Sequence, residues 1–258
     1  MKLYVENFSS YRDDLDKIDL KKELKSVYKL DTRRQDRFIH LGVYGAQLLK
    51  QKCDIEVDDE LYVTSGIGNA EIVQKTNTYM FEENQTLKLF DFINLLGNTT
   101  SYYIAKSLGM RGKNIFQISD NFTYLNSLVS IYASLKNSGK NAIICSIDLV
   151  NSPSEVIKRV LGVSKDTRVV SAVNYQKLSL KSDNALAQIE FDLKSFSRDQ
   201  IKDRLEGAIL IQRDEMQEPY FETIVSYKLN EAIKNRDQRV IIESFQNRYK
   251  ILKLKILK

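Results

Sequence analysis

The sequence contains no tryptophan, only two prolines and two cysteines, and a single histidine among 258 residues. His40 has no cysteine or carboxylate partner at a metal-ligand spacing, so no metal is expected. Cys53 and Cys145 lie far apart, which reads as two free thiols in a reducing cytoplasm rather than a disulfide. No apolar run approaches the ~18 residues that span a bilayer, and the polar first residues are expected not to be a signal peptide. No internal repeat, low-complexity tract or Pro/Gly-rich linker interrupts the chain, so residues 1–258 are read as one domain. The net charge of +5 comes from dispersed lysines. That is no nucleic-acid footprint, although a mild basic excess suits an acidic protein partner.

What is present is the composition of an ordinary globular protein, 43% hydrophobic and 28% charged. Apolar strand-like runs alternate with helical periodicity, which predicts an α/β fold. Strands are expected at Leu3–Val5, Leu61–Thr64, Asn114–Ile118, Ala142–Ile147, around Val169–Val173, at Ala185–Phe191, at Ala208–Ile211 and within Tyr249–Leu257. Helices are expected over residues 15–29 and 33–51, the latter capped by Asp31 and Thr32, then from about Ala70 and from Thr99 to Leu108. Further helices are expected after Pro153 and near 197–206 and 222–236. The continuous apolar character of the middle strands suits a mixed sheet covered by helices on both faces.

The most informative stretch runs from Asn114 to Leu128. An apolar strand (Ile115, Phe116, Ile118) leads into a small polar turn, Ser119-Asp120-Asn121, and a helix then continues to Asn137 and closes on Ser138-Gly139. Such a strand-to-helix junction can lower the pKa of a thiol placed at the helix N-terminus. The stretch resembles the active-site elbow of the beta-ketoacyl synthase family, whose turn reads Ser-Thr-Ala-Cys. Counting back from Ser138-Gly139 puts Phe122 at the cysteine position, and a phenyl ring has no lone pair with which to hold an acyl group. Other segments resemble the family in the same order. Arg34-Gln-Asp-Arg-Phe38 is similar to its Arg-Met-Asp-Arg-Phe helix start, and Tyr62-Val-Thr-Ser-Gly-Ile-Gly68 to its Val-Gly-Ser-Gly-Ile-Gly strand and turn. Asn98-Thr-Thr with Leu108-Gly-Met-Arg-Gly112 is similar to its Asn-containing helix and Leu-Arg-Gly-Pro turn. Ala142-Ile-Ile-Cys-Ser-Ile-Asp148 resembles its next strand, and Ser182-Asp-Asn-Ala-Leu-Ala-Gln-Ile-Glu-Phe191 the strand that closes its first half. The family's His-Gly-Thr-Gly-Thr and Asn-Ser-Phe-Gly-Phe-Gly-Gly segments do not occur.

The resemblance implies a thiolase-like half-fold and a non-catalytic role, similar to the chain length factors of bacterial type II polyketide and aryl-polyene systems. These pair with an active ketosynthase, meet an acyl carrier protein indirectly through it, and need no cofactor. It further implies that Ile115, Phe116, Ile118, Leu125 and Leu128 form the subunit interface. Val73, Phe90, Phe92, Asn94 and Phe122 are implied to shape or gate the acyl pocket. Two other readings stand beside this one: a stand-alone acyl-chain-binding or scaffold protein, and an enzyme that uses unfamiliar residues, which would need an activated nucleophile beside a base.

Elsewhere the plainer reading of each chemical residue is preferred. Cys145, mid-strand among isoleucines, reads as a core thiol, and Cys53 as structural. His40, beside Phe38 and Leu41, reads as a structural histidine. Gly66-Ile-Gly68 lacks the Gly-Lys-Ser/Thr of a phosphate loop and reads as a tight turn. Asp120 and Asn121 read as a helix cap.

Overall fold

The computed structural model describes residues 1–258 apart from 120, 151–153 and 213–218. Its strands are β1 (Lys2–Arg12), β2 (Glu60–Ser65), β3 (Asn114–Ile118), β4 (Ala142–Asp148), β5 (Ala172–Ser179), β6 (Ala187–Phe191), β7 (Ile209–Gln212), β8 (Val240–Phe245) and β9 (Arg248–Ile256). Among the described residues they form one mixed sheet in the order β3-β2-β4-β5-β1-β6-β9-β8-β7. The helices are α1 (Leu20–Ser26), α2 (Arg37–Lys50), α3 (Ala70–Asn77), α4 (Leu89–Leu95), α5 (Gly97–Leu108), α6 (Thr123–Ser138), α7 (Ser154–Leu161), α8 (Arg198–Leu205) and α9 (Ile224–Lys234). A π-helical turn, Thr78–Glu82, follows α3.

Strands β2 and β4 are parallel neighbours, buried along their whole length. Successive side chains of a strand point to opposite faces. Tyr62 and Ile144 accordingly join one core, while Leu61, Val63, Ile143, Cys145 and Ile147 join another. Leu128 and Leu135 of α6 and Leu229 of α9 cover the first face; Phe38 and Leu49 of α2 and Ile104 of α5 cover the second. Burial on both faces is why these strands read as unbroken apolar runs.

β1 is far longer than the expected Leu3–Val5, and a bulge explains why the rest was hidden. Its register against β5 shifts between Val5 and Asn7. One extra residue swaps every later side chain to the other face. Leu3 and Val5 therefore enter the first core and Tyr11, also odd-numbered, enters the second. A polar Asn7-Phe8-Ser9-Ser10 segment with a broken alternation gave no strand signal.

Other boundaries also move. The helix expected over 15–29 shrinks to α1, capped by Asp19, whose side chain accepts from the Lys22 N–H at 3.0 Å. The helix expected from residue 33 begins at Arg37, because Asp36 is its cap and accepts from the Ile39 N–H at 3.0 Å. Asp31 instead accepts from its near neighbour Arg33, both from the backbone N–H and from the guanidinium. The strand expected at Val169–Val173 is β5, displaced toward the C-terminus, with Val169 reduced to a single bridge to Tyr220. Its buried polar residues masked it: Gln176 donates to Asn230 Oδ1 at 2.7 Å and Lys177 to the Asp54 carbonyl at 2.8 Å. The sheet does not stop at β6. The second edge of β6 pairs antiparallel with β9, and the β8–β9 hairpin carries the sheet on to β7. α7 starts directly after Pro153, which itself lies outside the described residues.

Candidate functional site

The junction between β3 and α6 is the centre of the site. Phe122 sits immediately before α6 with a left-handed backbone, φ 46° and ψ 33°, a conformation that bulky residues rarely adopt. Strained backbone at a strand-to-helix turn is the geometry of a nucleophile elbow. The residue at the cap position of α6 is Phe122, which makes no side-chain cap hydrogen bond, and Asp120, one of the two residues expected to cap, lies outside the described residues. The turn is held by its own short bonds. Thr123 Oγ1 donates to the Ser119 carbonyl at 2.6 Å, and Asn126 Nδ2 donates to the Asn121 carbonyl at 3.1 Å.

Phe122 does not face an open space. It is 5% exposed and packs edge-on against Phe245 with ring centroids 6.4 Å apart. The Lys250 ammonium lies 5.2 Å from the Phe122 ring centre and donates to Asn126 Oδ1 at 2.7 Å. Burial pushes the Lys250 pKa below its usual value, the stronger effect, while Glu243 opposes it. The β8–β9 hairpin therefore closes over the elbow.

Two buried carboxyl groups stand behind the junction. Asp148, at the end of β4, accepts from Ser65 Oγ (3.0 Å) and the Gly66 N–H (2.9 Å) with one oxygen. Its other oxygen accepts from the Thr223 N–H and hydroxyl, both at 2.8 Å. Complete burial raises its pKa, against the pull of these four donors. Glu222 accepts from the Tyr220 hydroxyl at 2.7 Å, and its side chain passes so near Gly66 that a Cβ there would collide with it. Gly66 is thus required by close packing and Gly68 by its φ of 63°. Gly66 and Gly68 direct their N–H groups to Asp148 and Ser65, as a structural turn does.

Phe245, Lys250, Glu222 and Thr223 were not anticipated at the elbow. They meet it across about a hundred positions of sequence, where local patterning carries no signal. Asp148 ends a segment already singled out, and its position was legible.

The residues assigned to the interface separate into two groups. β3 is one edge of the sheet and pairs only with β2 among the described residues. On it Ile115 and Phe116 are half-buried and Ile118 is 56% exposed. Leu125 and Leu128 correct the expectation: both lie in the chain's own core, because α6 turns that face onto the sheet, and they present no surface to a partner. The pocket residues also divide. Val73 and Phe92 are 47% and 52% exposed, and Phe90 carries the Arg34 guanidinium 4.5 Å from its ring centre. Asn94 faces inward and donates to the Arg34 carbonyl at 3.4 Å. Phe122 is buried at the elbow. Sequence reasoning missed Met80, Phe81, Leu89, Leu96 and Tyr102, which are exposed on the same run of neighbouring elements from α3 to α5.

The remaining candidates behave as structural groups. Cys145 is fully buried and burial raises its thiol pKa; Cys53 is raised to about 11 by the same cause. Neither is poised as a thiolate. His40 is buried, its pKa lowered chiefly by that burial, with Nε2 3.4 Å from the Thr32 carbonyl. Among the described residues no group of three or more His, Cys, Asp or Glu side chains is placed to hold a metal ion. No helix among them is long and apolar enough to cross a membrane.

No protein-family model matches the sequence, and no curated protein sequence does. Solved structures do match. The ishigamide ketosynthase/chain length factor superposes with a TM-score of 0.72 at 10% identity, over 100% of this chain and 100% of that chain. The fold is thiolase-like. A ketosynthase in complex with its chain length factor, ApeO with ApeC from Xenorhabdus doucetiae, matches at a TM-score of 0.64 and 9% identity, over 98% of this chain and 99% of that chain. The 3-oxoacyl-(acyl carrier protein) synthase III, FabH from Pseudomonas aeruginosa PAO1, matches at 0.52 and 12% identity, over 100% of both chains. The thiolase-like fold is common to all three, and β3, α6 and their junction are built within it.

Proposed function

We propose that the chain is a non-catalytic, chain-length-factor-like subunit that pairs with an active ketosynthase in type II polyketide, aryl-polyene or fatty-acid-like synthesis and shapes its acyl pocket. The observation that carries this reading is Phe122. It holds the strained backbone of a nucleophile elbow, yet offers only a buried phenyl ring, covered by Phe245 and Lys250. Acyl transfer through that position would need an activated nucleophile at the surface of a pocket. The open edge of β3 and the apolar surface from α3 to α5 support pairing, since an unpaired strand edge is a ready template for another chain. In this reading Ile115, Phe116 and Ile118 meet the partner, while Val73, Phe90 and Phe92 face its acyl tunnel. The carrier protein is met through the ketosynthase.

The test is co-expression with a type II ketosynthase from the same genome, followed by co-purification and native mass spectrometry. One copy of each chain is the expected complex. The isolated chain, incubated with acyl- and malonyl-loaded carrier protein, is expected to keep its unmodified intact mass. A stable acyl adduct on it would overturn the non-catalytic assignment. A monomer that ignores the ketosynthase but binds acyl chains would establish the stand-alone reading instead.

A further inference from the structure

On the face of the sheet covered by α2 and α5, and away from the elbow, a cleft of about 360 Å³ opens between the residue 27–36 loop, α2 and α5. That volume suits a small ligand. Its floor is apolar, formed by Leu24, Leu30 and Val43, and its rim carries Arg33, Arg34 and Lys106. Asp31 is the single carboxylate on this rim and is already engaged, accepting from Arg33 Nε at 3.0 Å and Nη2 at 2.8 Å. Among the described residues neither Arg34 nor Lys106 has a carboxylate partner within ion-pair distance. The Arg34 guanidinium carbon lies 4.5 Å from the Phe90 ring centre, a contact that uses none of its N–H donors in an ion pair. The surroundings reinforce the sign: residues 17–37 hold eight Lys and Arg against four Asp and Glu, most of the chain's net charge of +5.

We propose that this cleft binds a small anionic amphiphile, its carboxylate or phosphate head on Arg34 and Lys106 and its short apolar tail on Leu24, Leu30 and Val43. A cation is disfavoured because Arg33, Arg34 and Lys106 outnumber Asp31, the one carboxylate on the rim. An inorganic anion leaves the apolar floor unused, and a neutral lipid leaves the rim unused. The assignment does not depend on pairing with a ketosynthase.

Isothermal titration of the full chain with octanoate, octyl phosphate, octanol and inorganic phosphate tests it. Octanoate and octyl phosphate are expected to saturate at one site, with octanol and inorganic phosphate at least roughly tenfold weaker. The double variant R34Q/K106Q should weaken both anionic amphiphiles by roughly tenfold or more, because charge-assisted hydrogen bonds to the head are lost. Asp31→Asn should do the reverse and tighten them, because it frees Arg33. All three substituted side chains are exposed, so the thermal melts of the variants should match that of the parent. Preference for octanoate would identify a free carboxylic acid as the ligand class, and preference for octyl phosphate a phosphorylated one. Absence of saturable binding at millimolar ligand would overturn the proposal. So would unchanged affinity in R34Q/K106Q, weaker binding in Asp31→Asn, or octanol or inorganic phosphate binding as tightly as the amphiphiles.

Discussion

Phe122 is buried in a conformation that disfavours its own side chain, and both the hydrogen bonds of the turn and the packing of the ring hold it there. Its ring fills the space between α6 and the β8–β9 hairpin against Phe245 and beneath Lys250. Phe122→Ala is therefore expected to cost about 3–5 kcal/mol, the range for emptying a buried aromatic site, measured by urea unfolding. A loss below ~1 kcal/mol would mean that the ring lines an open pocket rather than plugging one. Phe122→Cys should not create condensation activity with carrier-bound substrates, since a thiol beneath Phe245 and Lys250 is sealed from substrate. A second residue, Asp14, decides part of the acid response. Arg12 donates to it at 3.0 and 2.8 Å and Arg168 lies at 3.2 Å, and the hydrogen bonds from Arg12 hold the Asp14 pKa below the usual carboxylate range. A depressed folded-state pKa gives stability that is complete above the unfolded value of ~3.9 and is lost as pH falls toward the folded one. Asp36, Asp59 and Asp148 are raised by burial and carry the opposite sign, so the wild-type curve alone does not isolate Asp14. Asp14→Asn should lose about 1.5–3 kcal/mol at pH 7, and the gap to wild type should narrow as pH falls below ~4. Thermal melts of both proteins across that range check it; a constant gap would remove Asp14 from the acid response.

At the scale of elements, β3 is the strand most exposed to a test. Ile118 projects from the sheet edge, 56% exposed, whereas Leu125 and Leu128 on the following helix are core residues. Ile118→Asp should leave the stability of the isolated chain within ~0.5 kcal/mol, as surface substitutions do. In a complex it would bury an unpaired charge at the cost of several kcal/mol, and co-purification with the ketosynthase should fail. A normal complex from this variant would move the interface away from β3. The contrast with Leu125 and Leu128 also shows what was legible. β3, β4, α5 and α6 were readable because each has one uniform apolar pattern and a local stop signal, such as the left-handed Gly139 after α6. β1 and β5 were read only in part, at Leu3–Val5 and around Val169–Val173, because a bulge reversed the alternation of one and buried glutamine and lysine side chains broke the pattern of the other. α2 was found but begun four residues early, since Asp31 and Thr32 look like a cap in sequence and only the fold shows Asp36 accepting from both Ile39 and Asn69. The strand-to-helix junction between β3 and α6 was readable from local order. The hairpin that covers it was not, because its contacts join residues 122 and 250.

At the scale of the whole molecule, the apolar surface spread over α3, the π-helical turn, α4, α5 and β3 needs an explanation that the chain by itself does not supply. Phe81 is 75% exposed and Val73 47% exposed, values that ordinary core packing would not leave. If the partner covers this surface, obligate interfaces of this kind bury ~2,000 Å² or more, enough to include Val73. In the proposed complex Val73 reaches across the dimer to the partner's acyl tunnel, and its exposed position on α3 is compatible with that reach. Valine there is small, so the paired tunnel should accept a long or rigid chain. Val73→Phe adds an aromatic ring on an exposed helical turn, which the isolated chain tolerates, but overfilling a packed tunnel costs about 1–3 kcal/mol. The complex carrying Val73→Phe should therefore release shorter products while the early condensation rounds proceed at their usual rate. Mass spectrometry of the carrier-bound intermediates, with wild-type and variant complexes run in parallel, reads this directly. An unchanged product distribution from a normally assembled complex would take Val73 out of the tunnel wall and leave Phe90 and Phe92, on the neighbouring helix, as the residues to vary next.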